Sequence, residues 1–387
     1  MQTSNPGPGI PGVQRNRLMG LDAARGAAMF LVCLAHFQNG YLQPLGIQRV
    51  TELLSPLTRA ATPTFILISG FVLGFLYATN QKTFDRTRRN LVDRALFLLT
   101  VARVPIVFAH VPITGFRGAL DIVFVTDTIA VCVLVGTVVV PAIGMRARAA
   151  LGVLLYVGSV LVLLLWIPQE GSVERFLKHL LVGHRSHSVF VYSFPILPWL
   201  AVYLVATSVG ERLARLRGAS ERTGFGGLIG LGSLLLASGV LLWSLRSELA
   251  LLPAFADTSP RSALVFLTST WQKLPPGPVY LLCYLGLALY LVTASLWLAR
   301  ARPDAALLKM FALLGRNSLI VFVAQYAVYY TVLYSLHLPY TQWWPLLFAA
   351  SFLALVLFAA GWQRANGQRL LTVGYPGLVA RAGRVIG

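Results

Sequence analysis

Long apolar stretches alternate with short basic loops along the whole chain. Ten of these stretches approach the roughly 20 residues a helix needs to cross a bilayer core. They run at about 19–41, 57–78, 95–113, 121–144, 149–167, 190–210, 225–245, 276–299, 310–333 and 344–363. The pattern predicts an all-α polytopic membrane protein of about ten transmembrane helices. Residues 1–18 are Pro/Gly-rich, carry Arg15 and Arg17, and read as a disordered cytosolic tail. Residues 19–363 form the transmembrane domain, and 364–387 a basic cytosolic C-terminal tail. The first stretch has no small-residue cleavage site after it and is interrupted by Arg25, which favours a retained helix over a signal peptide. Segments 168–189 and 246–275 hold short amphipathic pieces such as Phe176–Leu181, with Trp271 and several prolines. These read as re-entrant or interfacial helices over an outer cavity.

Charge orients the spans. Of the 32 Lys and Arg, 20 fall in alternate loops and the two tails, eight in the other loops, and four within or at the edge of spans. The positive-inside rule then places both termini in the cytosol, as an even number of spans requires, in a multi-pass protein of the inner (cytoplasmic) membrane. Composition agrees: 57% of the 387 residues are hydrophobic and only 12% charged, against about 25% charged in soluble proteins. The net charge of +19 does not indicate nucleic acid, because the basic residues are spread over loops rather than gathered on one element. The partner this charge predicts is the lipid bilayer, through its anionic headgroups. Cys33, Cys132 and Cys283 all lie in apolar stretches without metal spacing, and read as buried free thiols. No metal site is expected, and nothing in the pattern specifies an oligomeric state.

Ionisable residues inside an apolar span are functional candidates, since placing them there costs several kcal/mol without a partner or water. The first span holds Asp22, Arg25 and His36. Arg25 and His36 are almost three whole helical turns apart, so both project from one face, about 16 Å apart along the axis. Asp22 lies near the same face. A cation at the cytosolic end suits an anionic carrier such as coenzyme A, and a histidine farther up suits a general base at the end of the carrier's arm. The same residues also fit a plain Asp22–Arg25 ion pair and a histidine bonded near the outer headgroups.

Leu21-Asp22 with Arg25 and His36 resembles the first-helix signature of the acyltransferase-3 superfamily of integral membrane acyltransferases. Phe65–Phe71, containing Ser69-Gly70-Phe71, is similar to that group's second-helix element. Arg88–Arg94 leading to Arg103-Val104-Pro105 resembles its Arg-rich entry to the third helix. Phe194–Trp199, Lys273–Pro278 and Leu314–Leu319 look like stretches of the related heparan-α-glucosaminide N-acetyltransferase-like and glucan succinyltransferase branches. The likeness runs from about residue 17 to 330. It implies transfer of an acyl group, acetyl or succinyl, from cytosolic acyl-CoA to a hydroxyl or amine of an envelope carbohydrate or glycolipid. With no histidine between Phe37 and His110, His36 stands as the expected base. Arg25, Arg88, Arg89, Arg94, Arg103 and Arg316 are expected around the donor.

Asp127, inside the fourth span, is a candidate to orient His36, as a carboxylate does in a hydrolase triad. A salt bridge to Arg59 or Arg316 is the competing expectation. Ser69 and Trp199 are candidate acceptor contacts, against close helix packing at Ser69-Gly70 and an interfacial aromatic belt at Trp199. His184 and His187 have the spacing of a metal pair but no third ligand. The alternative to an enzyme is a transporter or flippase for a small anionic or lipid-linked substrate, in which Arg25, Asp127 and His36 would line the path. Against it, the two halves show no inverted repeat.

Overall fold

The structure, a computed structural model, describes residues 12–169, 171–183, 192–216, 220–250, 258–336, 338–339 and 342–376. It is helical almost throughout. In chain order the helices are α1 (Gly12–Phe37), α2 (Gln48–Arg59), α3 (Ala61–Thr79), α4 (Phe84–Leu99), α5 (Arg103–Leu120), α6 (Val125–Ala142), α7 (Met145–Leu165), α8 (Val173–Leu181), α9 (Ile196–Arg215) and α10 (Ser220–Ser244). The series continues with α11 (Arg246–Ala250), α12 (Thr258–Thr268), α13 (Pro278–Ala301), α14 (Ala306–Arg316), α15 (Ser318–Tyr326) and α16 (Trp344–Arg364). Among the described residues, nine helices are long and apolar enough to cross a membrane, and a bent pair makes a tenth. The only strands described are two residues each, Ile122–Val123 paired in parallel with Tyr192–Ser193.

Three expectations change in detail. The first helix starts at Gly12, so the later part of the expected tail is helical. The C-terminal tail begins as a packed segment: Asp93 Oδ1 accepts from the backbone N–H groups of Val373 and Tyr375, at 3.1 and 3.0 Å. The ninth span, read as one helix, is α14 and α15 bent by 80° at Asn317. A break inside a membrane protein needs its freed backbone groups satisfied by the protein. Here the Asn317 side chain donates to Leu313 O (2.9 Å), and Gln368 donates to Arg316 O (3.0 Å) and Asn317 Oδ1 (2.8 Å). The short amphipathic helix expected at 176–181 is present as part of α8, capped by the Ser172 side chain.

Helices α3 and α9 are largely enclosed, whereas α7, α10 and α16 present mostly lipid-facing surface. Small residues set the closest approaches. A Cβ at Gly70 or Gly74 of α3 would strike the carbonyls of Tyr203 and Thr207 on α9, and one at Gly210 would strike that of Phe71. The close-packing expectation at Ser69-Gly70 therefore holds, and Gly74 packs in the same way. Gly26 and Gly315 bring α1 and α14 into contact in the same way, against Phe311 and Asp22.

Arg148, counted in the sequence as a loop charge, is wholly buried with Glu211 at 2.5 Å. Its other guanidinium nitrogen donates to Val140 O and Ile143 O, both at 3.0 Å. This pair joins α6, α7 and α9. Removing one partner of a buried pair strands the other charge and costs about 3–5 kcal/mol. Glu211→Gln should therefore lower the detergent melting temperature sharply, and Arg148→Met/Glu211→Leu should recover most of the loss. Equal melting of Glu211→Gln and wild type would contradict this assignment.

Candidate active site

Beyond Asn317, α15 carries Ser318, Phe322 and Tyr326, and a π-helical turn (Ala327–Leu333) continues it through Tyr330. Together with Tyr334, these side chains recur every fourth residue, as one face of a helix requires. They line two cavities stacked along the helix, and Phe322 borders both. A matching π-helical turn, Gln38–Leu42, extends α1 directly after His36. Such turns are frequent at functional sites.

The first cavity, ≈ 170 Å³, is lined by Arg25, Ser69, Arg94, Arg316 and the packed C-terminal residues Gln368 and Leu371. Asp22 ties two of these arginines together, with Arg25 at 3.6 Å and Arg316 at 3.2 Å. Two guanidinium groups share this carboxylate and Arg94 adds a third, so this end carries net positive charge. Ser69 Oγ donates to its own helix at Phe65 O (2.8 Å). At the far wall Thr126 Oγ1 is buried without a hydrogen-bond partner.

The second cavity, ≈ 560 Å³, holds His36, His110, Lys273, Phe124, Phe194, Tyr326 and Tyr330 among its walls. His36 Nδ1 lies 2.5 Å from Gln325 Oε1. The Gln325 amide nitrogen donates to Phe322 O at 3.0 Å, so its oxygen must face His36 and accept. Nδ1 therefore carries the proton, and Nε2 is left as the basic nitrogen. His110 is set the same way, its Nδ1 donating to Ile106 O at 2.9 Å. Both imidazoles contact the same pair of rings: His36 lies 4.7 and 5.1 Å from Tyr326 and Tyr330, and His110 lies 5.0 and 4.9 Å from them. Lys273, in the loop before α13, faces the Phe194 ring at 5.3 Å. Burial, and then the Arg59 charge, pushes its ammonium down to about 8.

Several expected site residues fall elsewhere. The Asp127 carboxylate is bound to Arg103, a partner not foreseen, and accepts the backbone N–H of Phe124 at 3.0 Å. It contacts neither His36 nor Arg59 nor Arg316, because the first turn of α6 uses it as a cap. Arg103, thus engaged and also donating to Ile122 O (3.0 Å), does not line the arginine cavity. Arg88 and Arg89 lie exposed on α4 outside that cavity, whereas Arg94 borders it. Trp199 is fully buried, edge-on to Tyr280 at 6.5 Å. It serves neither as a belt residue nor as a stacking surface, because α9 lies in the middle of the bundle. His184 and His187 are outside the described residues, among which no three metal-ligating side chains converge. Sequence reading missed Gln325, Tyr326, Tyr330 and the role of Lys273. The four-residue spacing of Phe322, Tyr326, Tyr330 and Tyr334 is the signal that could have found the tyrosines.

The apolar helices, with an arginine-lined cavity and a histidine-lined cavity among them, make this a multi-pass membrane protein with polar groups inside its bundle. Residues 19–362 match the acyltransferase-3 family, described as an acyltransferase domain. The chain belongs to that family and is a membrane acyltransferase. No curated protein and no solved structure matches it significantly.

The Arg103–Asp127 pairing makes Asp127 a structural residue first. Asp127→Asn should destabilise the protein by about 1–3 kcal/mol, the cost of losing a charged hydrogen bond and leaving its partner short. Thermal unfolding in detergent reads this directly, and an unchanged melting temperature would contradict the pairing.

Proposed function

We propose that the protein moves an acyl group from a cytosolic acyl-CoA to a hydroxyl or amine of an envelope carbohydrate or glycolipid, with His36 as general base. One observation carries this reading: a cationic cavity and a histidine cavity meet at a single side chain, Phe322. Arg25, Arg94 and Arg316 supply charge for the donor's phosphates, as arginine commonly does. Arg88 and Arg89 extend the same basic surface outward along α4. The roughly 16 Å between Arg25 and His36 along α1 suits a long, thin pantetheine arm passing Ser69 and Phe322. Thr126 Oγ1, buried and unpaired, offers that arm's amides a partner.

At the far end, the acceptor O–H or N–H gives its proton to His36 Nε2 as the oxygen or nitrogen attacks the thioester carbonyl. The C–S bond then breaks, and the departing thiolate takes the proton back from His36. Gln325 is a positioning residue: it fixes the tautomer and adds no charge. The positive-inside distribution supports placing the arginine end, with both termini, in the cytosol of an inner membrane.

A positioned base contributes 10²–10⁴-fold, so His36→Gln should lose about that much turnover while still binding acyl-CoA. Gln cannot take a proton, whatever hydrogen bond it keeps. Arg25→Ala should instead weaken acyl-CoA binding, read by calorimetry, with folding nearly intact. Wild-type turnover in His36→Gln would pass the role to His110, whose free nitrogen faces the same tyrosines.

A further inference from the structure

Among the described residues, the walls of the histidine cavity hold no acidic residue and one full cation, Lys273. Lys273 meets an aromatic ring and, among the same residues, no carboxylate. A second cation, Arg59, stands nearby with its guanidinium 3.0 Å from the Trp271 ring centre and likewise without a carboxylate partner. Outside the arginine cavity, whose positive charge suits a donor's phosphates, buried arginines are paired: Arg148 has Glu211 and Arg103 has Asp127. Holding a half-buried ammonium without a counter-charge is costly. That cost becomes useful only when a ligand supplies the missing negative charge.

The geometry points to an acidic acceptor: a saccharide whose carboxylate or phosphate ester sits on Lys273 while a hydroxyl or amine of the same molecule faces His36. This rests on the acyl-transfer reading of the site and adds the acceptor's charge to it. The cavity, ≈ 560 Å³, is of small-molecule size. Phe124, Phe194, Tyr326 and Tyr330 provide the aromatic faces against which a sugar ring can lie. Arg59 adds long-range attraction for an anion entering from this side.

The test measures protection of the Lys273 amine. The full-length protein in nanodiscs is treated with a water-soluble amine-acetylating reagent, and labelling of each lysine is followed by peptide mass spectrometry. Three ligands are compared at matched concentration: methyl β-glucuronide, glucose 1-phosphate, and neutral methyl β-glucoside. At least one acidic ligand should slow labelling of Lys273 by about threefold, as expected once two-thirds of the sites are filled. The neutral glucoside should have little effect, and exposed Lys82 should react alike with all three. Protection by the glucuronide identifies a carboxylate, and protection by the sugar phosphate alone identifies a phosphate ester. Equal protection by the glucoside, or none by either acid, overturns the proposal. Acyl-CoA binding measured on the same preparation separates the two readings. Intact donor binding without protection removes only the acidic acceptor. Protection without donor binding removes the acyl-CoA reading and leaves an anion pocket.

Discussion

No polar group inside this bundle can count on water, and that constraint organises the molecule. At the helix break and around the buried Arg148, another part of the chain answers it. The bend at Asn317 exists because Asn317 and Gln368 take up its exposed carbonyls. Arg148 can be buried because Glu211 and two carbonyls surround it. The 80° turn at Asn317 is in turn what lets Arg316 end one helix at the first cavity while Ser318, Phe322, Tyr326 and Tyr330 line both cavities from the next.

The partition between the cavities follows from α1 and α15 together. Helix α1 carries Arg25 near its middle and His36 at its C-terminal end, and α15 supplies Phe322 where the cavities meet. Close packing against α14 through Gly26 and Gly315 fixes the position of α1, so the distance between Arg25 and His36 is set by backbone geometry rather than by flexible loops. Gln325 then decides which imidazole nitrogen is free. A neutral amide orients the ring without the charge of a carboxylate, which leaves the positive balance of the cavity to Lys273.

The helical architecture was legible in the sequence because each span is a long apolar run and the loops carry the charge. The face shared by Arg25 and His36 was legible because it depends on helix pitch alone. What stayed hidden depends on contacts between distant segments. Asp127 meets Arg103, Gln325 meets His36, and Trp199 is buried on α9 where it packs against α3, α6 and α7, and no local pattern encodes such partners. The break at Asn317 was missed because 310–333 is apolar throughout, and the residue that permits the break, Gln368, lies in what reads as a solvated tail. Lys273 and Arg148 were counted as loop charges, and burial changes what each can do.

We propose that one donor spans both cavities past Phe322. A cryo-EM structure of the wild-type protein with a non-hydrolysable thioether analogue of acyl-CoA tests it most directly. The account predicts the nucleotide phosphates beside Arg25, Arg94 and Arg316, the arm alongside Phe322, and the acyl carbon at the His36 face of the second cavity. An analogue lying wholly on one side of Phe322, or bound away from Arg25, would contradict it.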